Sequence, residues 1–269
     1  MTTERNLVWF SCGAASAVAA HLTTEQLQNV EVIYCDVMSD EHPDNQRFFA
    51  DVQNWIDQEI RIIRSEHFAS IDDIFNTKRY MANIYGAPCT VEMKKIPRFA
   101  YQRNDDTHIF GFTADEHHRI ERFEQQNPGL STNWILADNS ITKSDCLEML
   151  QLAGITLPIM YELGYNNNNC LGCVKASSAR YWNSIRRDFP DVFKKRATQS
   201  RDYGAKLTRV RNVRVFLDEL PPDYLPAEPL ENISCGPDCG DDTQLSLIAL
   251  AATEATATQI CSPLDYDDA

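Results

Sequence analysis

An α/β fold built on a parallel sheet of about five strands is the architecture predicted by this 269-residue sequence. Two observations predict it. Short apolar runs recur along the first half of the chain, at 7–10 (LVWF), 30–36 (VEVIYCD), 59–65 (EIRIIRS), 108–113 (HIFGFT) and 133–137 (NWILA). Between them lie segments with apolar residues at helical spacing, such as HPDNQRFFADVQNWI and DEHHRIERFEQQ. Strands alternating with helices give right-handed crossovers and a sheet covered on both faces.

The elements follow in order. LVWF is a strand that ends at SCGAAS (11–16), and an Ala-rich helix runs from there to about His21. The second and third strands are 30–36 and 59–65, and the fourth and fifth are 108–113 and 133–137. After residue 140 the pattern changes. TKSDCLEMLQLAGI reads as a capped helix ending at Gly154, and YNNNNCLGC as a loop. ASSARYWNSIRRDFPDVFKKRATQSRDYG reads as helix broken at Pro190, and VRVFLDEL as a last strand. From Pro221 onward Pro, acids and small residues dominate; TQLSLIALAATEATATQ reads as a lone helix within an otherwise mobile tail. The organisation expected is an α/β core at 1–140, a helical part at 141–220 that completes the same domain, and an acidic tail at 221–269.

Charge and composition set bounds on function. The formal charge of −14 is concentrated in the tail: from Asp218 to Ala269 there are twelve acids and no Lys or Arg, and removing them leaves −2. The body is nearly neutral, so net charge neither excludes nor indicates a nucleic-acid partner. No apolar stretch is long enough to span a membrane, and MTTERNLVWF lacks the pattern of a signal peptide. The expected location is therefore the cytoplasm. Nine cysteines there read as metal ligands, nucleophiles or buried apolar residues rather than as a disulfide framework.

Ligands of an open parallel sheet bind beyond the carboxyl ends of its strands. SCGAAS stands at such an end, before a helix, where small residues let backbone N–H groups approach a phosphate; an ordinary tight turn is the alternative. Cys170 and Cys173, three residues apart, hold a metal, form a redox pair or simply pack. A metal would need a further ligand, for which Cys89, 81 residues upstream of Cys170, is the candidate. Cys12, Cys35, Cys146 and Cys261 read as packing. His117 and His118 fall on a helix, one outward and one inward, on a solvated surface. Of the cations, Lys94, Lys95, Arg98 and Lys175 suit an anionic ligand, and Lys95 and Lys175, beside the proposed ligands, are the preferred pair.

Several of these segments, in order, resemble the adenine nucleotide alpha hydrolase superfamily, in particular its phosphoadenosine phosphosulfate reductases of phage and bacterial type. SCGAAS resembles the pyrophosphate loop Ser-Gly-Gly-x-Asp-Ser, with Cys12, Ala14 and Ala15 as departures. YCDVMSDEHPDNQRF, GAPCTVEMKKIP, GFTADEHHR and CLGCVKASSARYWNSIRRDFPDVF resemble further segments of the reductases, and the likeness covers residues 5 to about 240. It implies an enzyme that binds an adenine nucleotide, either ATP or a sulfonucleotide, around Ser11, Cys12, Gly13, Ala14, Ser16, Asp36 and Gly111. It implies a 4Fe–4S cluster on Cys89, Cys170 and Cys173, with zinc as the alternative. Ser234-Cys235-Gly236 resembles the segment whose cysteine attacks a sulfonate, so Cys235, with Lys95 and Lys175, is the implied catalytic set. The acids around Cys235 oppose a thiolate unless the tail folds over the basic site; Cys239 would be the resolving thiol. Sulfonucleotide reduction to sulfite with a thioredoxin-like thiol donor is the first activity implied. ATP-dependent thiolation of a nucleobase, with a nucleic-acid substrate, is the second, and a non-catalytic nucleotide binder the third. A homodimer is compatible with each. If the chain is phage-encoded, its compartment is the host cytoplasm.

Overall fold

The computed structural model describes residues 4–82, 86–226, 229–230, 233 and 235–237. The predicted tail helix, Cys239 and Cys261 lie outside the described residues. Chain order is β1 (Asn6–Phe10), α1 (Ala14–Gln26), β2 (Val30–Cys35), α2 (Asn45–Trp55), β3 (Ile60–Ile63), α3 (Ile71–Lys78), α4 (Pro88–Thr90), a π-helical turn (Val91–Lys95), α5 (Ile96–Tyr101), β4 (Thr107–Ile109), α6 (His117–Gln126) and β5 (Ser131–Asn133). There follow α7 (Ile135–Asp138), α8 (Lys143–Leu152), α9 (Ile159–Glu162), α10 (Ala179–Asp188), α11 (Pro190–Asp202), β6 (Thr208–Val210) and β7 (Val213–Val215).

The fold is α/β. The first five strands form one sheet in the order β3-β2-β1-β4-β5, and every pairing in it is parallel. Alternate residues of β1 serve two cores. Val8 and Phe10 pack with α1, α2 and much of the chain beyond residue 141, including Cys146, Met160 and Trp182. Leu7 and Trp9 face the other way, against Phe110, Phe112, Phe123 and Trp134. Burial on both faces is what makes these strands read as continuous apolar runs. The chain builds outward from β1 to β3, then returns to β1's other edge as β4. That reversal opens a crevice beyond the carboxyl ends of β1 and β4.

Helix ends obey local chemistry. In α8 the Thr142 hydroxyl accepts from Asp145 N–H while the Asp145 carboxylate accepts from Thr142 N–H, a reciprocal cap. Pro190 divides α10 from α11 and opens the second at a position where its missing N–H costs nothing.

Two elements differ from the sequence reading. NWILA is not the fifth strand: β5 is Ser131–Asn133, and the apolar run turns at Trp134 into α7. Trp134 stacks on Phe112 at 5.3 Å and donates Nε1–H to Glu124, which pulls the chain off the sheet. A short apolar run does not distinguish strand from buried helix. In VRVFLDEL only Val213–Val215 is extended, paired with β6 in an antiparallel hairpin. Its turn, Arg211-Asn212, takes left-handed conformations with φ of 48° and 67°, a geometry usually signalled by Gly.

One buried polar contact in the second core has a pH consequence. Trp9 Nε1–H donates to His108 Nδ1 at 2.9 Å, so the proton of the neutral ring sits on Nε2, which is buried without a partner. Burial first, and nearby Arg98 second, lower the His108 pKa from 6.5 to about 4. The unfolded chain takes up this proton as pH falls through 6.5, whereas the folded chain does so only near 4. Stability should therefore fall across that window by about 3 kcal/mol and level off below it. Melting curves between pH 7.5 and 4.5, with an NMR titration of the imidazole, check this; a His108 titrating near 6.5 would contradict it.

Candidate functional site

β1 delivers Ser11–Ser16 to the crevice. Cys12 takes a left-handed conformation, φ 54°, and buries its thiol in the core, which tips the next residues up as the start of α1. The loop is held by its own hydroxyls: Ser16 Oγ accepts from Ser11 N–H at 3.1 Å and donates to the Gly13 carbonyl at 3.0 Å. Ala14 N–H, one of the helix's opening amides, donates to the Tyr161 hydroxyl at 3.2 Å. Beyond β4 the chain crosses directly over this loop at Gly111. A Cβ there would stand 2.7 Å from Ser16 N and 2.9 Å from the Ala15 carbonyl carbon, so only glycine fits.

The loop floors an open cavity that also takes in Glu41, Lys94, Arg119, Lys143 and Tyr161. Lys94, Arg119 and Lys143 bring positive charge to it, and Glu41 and Glu116 negative. Arg119 pairs with Glu116. Glu41 is buried, accepting from Tyr34 Oη at 3.0 Å and Asn45 Nδ2 at 2.7 Å; burial raises its pKa, with Lys94 opposing.

The four asparagines preceding the Cys-x-x-Cys pair form a clamp. Asn168 Nδ2 donates to the Cys12 carbonyl at 2.6 Å and to Asn45 Oδ1 at 2.8 Å, tying this loop to the Ser11–Ser16 loop. Asn167 and Asn169 both donate to the Ile233 carbonyl, at 3.1 and 3.0 Å, and Asn166 donates to the Leu230 carbonyl. The run thus satisfies the backbone of a segment some sixty residues away. The segment is the loop expected, and its first two asparagines, Asn166 and Asn167, take part in the clamp.

That segment carries Cys235 into the site. Lys94 Nζ donates to the Cys235 carbonyl at 2.6 Å, and Arg98 Nη1 to the Pro237 carbonyl at 2.8 Å. The described residues 235–237 therefore lie over the basic side of the site, as a thiolate on Cys235 requires. Ser234 lies outside the described residues.

Cys235 meets the predicted metal ligands. Cys89, Cys170, Cys173 and Cys235 line one small, tight cavity, with Val37, Phe75 and Val174 as apolar walls and Lys94 and Arg196 as cations. Gly172 makes the Cys-x-x-Cys turn at φ 63°, where a Cβ would stand 2.9 Å from Val192 Cγ1. Tyr181 Oη accepts from Cys173 N–H at 2.8 Å. A hydrogen bond from Cys173, then the cations Lys94 and Lys175, hold the Cys235 thiol well below its ordinary pKa, against the effect of burial. Cys173 is correspondingly raised by that hydrogen bond and by burial, and burial pushes Cys89 up to about 12. Burial alone would lower Lys94; the sulfurs of Cys235 and Cys170 and the Glu41 carboxylate outweigh it and raise Lys94 instead.

The donor set is soft and suits a thiophilic metal. Among the described residues no group of three or more His, Cys, Asp or Glu side chains is arranged to hold a metal ion; the four thiols line one cavity, with Cys173 and Cys235 in hydrogen-bond contact. The seven described cysteines are free thiols.

Of the other residues singled out in the sequence, Ser11, Gly13, Ala14, Ser16 and Gly111 line the larger cavity. Asp36 lines neither cavity: its carboxylate caps Met38 N–H at 3.1 Å and pairs with Arg64 at 2.8 Å. Lys95 is buried but lines neither cavity, whereas Lys94 lines both. The π-helical turn at Val91–Lys95 adds a residue to the helical register, so that Lys94 rather than its neighbour points to the site. Lys175 stands close enough to Cys89 and Cys235 to favour their thiolates. Cys35 and Cys146 are buried among apolar residues. His117 and His118 are both exposed, so neither turns inward. Tyr161, Lys143 and Arg119 were not selected from the sequence, since nothing in their local patterns marks them as facing β1. Comparison with family models and with curated proteins finds no match.

Proposed function

We propose that the chain is an enzyme of adenine-nucleotide-dependent sulfur chemistry. One observation carries the proposal: Lys94 and Cys235 line both the phosphate-loop cavity and the four-cysteine cavity, so a nucleotide in the first presents its reacting end to the second. In this reading the Ser11–Ser16 loop and the α1 N-terminus hold phosphates. Lys94, Arg119 and Lys143 balance their charge, and Tyr161 fixes the loop through Ala14 N–H.

The gathering of four cysteines favours nucleotide-driven sulfur transfer. ATP is attacked at its α-phosphorus by a carbonyl oxygen of the acceptor, pyrophosphate leaves, and a sulfur nucleophile then displaces AMP. An iron–sulfur centre held at Cys89, Cys170 and Cys173 would supply thiophilic metal chemistry beside that acceptor. Glu41 and Glu116 are the carboxylates facing the phosphates, since Ala15 stands where the resembling loop has Asp.

The second reading, sulfonucleotide reduction, is favoured by the thiolate character of Cys235. Its sulfur would attack the sulfonate sulfur, forming an S–S bond while the S–O bond breaks and the electron pair leaves on the nucleotide phosphate. A dithiol reductant would then release sulfite, leaving a mixed disulfide that its second thiol resolves. Incubation with each nucleotide separates the readings. Pyrophosphate from ATP supports transfer; a sulfonate adduct of about 80 Da on the parent, absent from Cys235→Ser, supports reduction.

Nucleotide binding itself is tested at Gly13. A Cβ there meets only ordinary contacts, the nearest 3.7 Å away, so a side chain is tolerated by the fold but projects where the phosphate must approach. ATP or a sulfonucleotide should raise the melting temperature of the parent and not of Gly13→Val, whose own melting temperature stays near the parent's. Equal shifts in both proteins would place the nucleotide elsewhere.

A further inference from the structure

We infer that Cys235 is the fourth thiolate of a metal centre shared with Cys89, Cys170 and Cys173, and that the metal thereby straps the C-terminal segment across the nucleotide cavity. This deepens the sulfur-transfer reading given above and rests on it, since a Cys235 committed to a metal is not free to attack a sulfonucleotide.

The argument is geometric. Three separate stretches of chain deliver four cysteines to one pocket: α4, the Cys-x-x-Cys turn, and the segment at 235–237. Each is positioned by groups other than its own sulfur. α4 is held by its continuation into the π-helical turn. The Cys-x-x-Cys turn is held by Gly172, by Tyr181, and by Leu171 N–H donating to the Asp40 carbonyl at 2.9 Å. The last segment is held by Lys94, Arg98 and the asparagine clamp. Cys235 Sγ lies 3.7 Å from Thr90 Oγ1, beside Cys89 in sequence. Lys94 and Arg196 are the cations already lining this otherwise largely apolar pocket; four soft donors gathered from three stretches of chain are the set a thiophilic metal takes, and binding one would draw the sulfurs together. Lys94 supplies one positive charge at the edge, fit to temper the excess negative charge of four sulfurs on a metal.

The consequence is a link between two sites. Ile233, Cys235, Gly236 and Pro237 also wall the nucleotide cavity. A metal on Cys235 fixes that wall, and its loss frees the segment from its strongest tether.

The test is metal content in anaerobically purified full-length protein. Iron, acid-labile sulfide and zinc are measured per chain with the visible spectrum, for the parent, Cys235→Ala, Cys89→Ala and Cys146→Ala. The parent is expected to hold roughly four irons and four sulfides with absorption near ~400 nm, or about one zinc in a colourless protein. Either result satisfies the four-thiolate site. Cys235→Ala should lower metal content several-fold, as Cys89→Ala does, and change the spectrum of any metal retained. Cys146→Ala, a buried thiol elsewhere, should keep the parent's content, and matching circular dichroism will show that all four proteins are folded. A metal-free parent, or a Cys235→Ala variant with parental metal and spectrum, would overturn the inference.

Discussion

Gly111→Ala is expected to destabilise the protein by roughly 2–3 kcal/mol and to abolish the melting shift given by adenine nucleotides. The reason is the crossing of the β4 exit over the phosphate loop. An added methyl would sit 2.7 to 2.9 Å from backbone atoms of Ser16 and Ala15, and backbone cannot swing aside as a long side chain can. Both strands at this crossing are central in the sheet, so the displacement falls on the loop, the least supported part. The contrast with Gly13→Val is diagnostic: both variants lose the nucleotide, but only Gly111→Ala loses stability. Urea denaturation and thermal shifts measured together check it, and a Gly111→Ala protein with parental stability and nucleotide response would contradict the packing described.

Lys94→Met should weaken nucleotide binding by between ten- and a hundredfold, the worth of about 1.5–3 kcal/mol for a charge-assisted contact. Lys94 is buried with Glu41 and the cysteines around it, and it bonds the Cys235 carbonyl. Methionine keeps the volume and removes the charge. Glu41 would then lose the cation that opposes its burial and bind its proton more tightly, so the remaining binding should shift its pH dependence upward. Lys95→Met should leave nucleotide affinity within about twofold, since that side chain lines neither cavity. Titration calorimetry with ATP on both variants decides the matter; similar losses in the two would return the role to the sequence's first choice.

That misplaced lysine shows where sequence reasoning stops. The spacing of apolar runs was enough to place β1, β2, β3 and β4: β1 and β2 advertise themselves through burial on both faces, while the edge strand β3 is marked by its isoleucines although two of its residues are exposed. The placement of Ser11–Ser16 at a cavity followed, since an open parallel sheet leaves its crevice at the carboxyl ends of its strands. Cys89, Cys170 and Cys173 were legible because thiols are few and the Cys-x-x-Cys spacing is local. The remainder depends on contacts across long separations. Asn166–Asn169 looks like a turn until its amides are seen to hold Leu230 and Ile233. That Cys235 shares a cavity with three other thiols was not legible, because they stand 62 or more residues upstream. Lys94 was named among the cations but ranked below Lys95, because a π-helical turn shifts the helical register by one residue and no composition rule announces such a turn. Asp36 looked like a ligand contact because acids after a strand often are, yet Arg64 and the Met38 amide occupy it.

The central claim is that a nucleotide on the Ser11–Ser16 loop points its reacting end at the wall made by Lys94 and Cys235. The most direct measurement is affinity labelling with an adenosine whose 5′ position carries a fluorosulfonylbenzoyl group in place of the phosphates, followed by peptide mapping. The account predicts a label on Lys94, Tyr161 or Cys235 that excess ATP prevents. Labelling elsewhere, or labelling of these residues that ATP leaves unchanged, would contradict it.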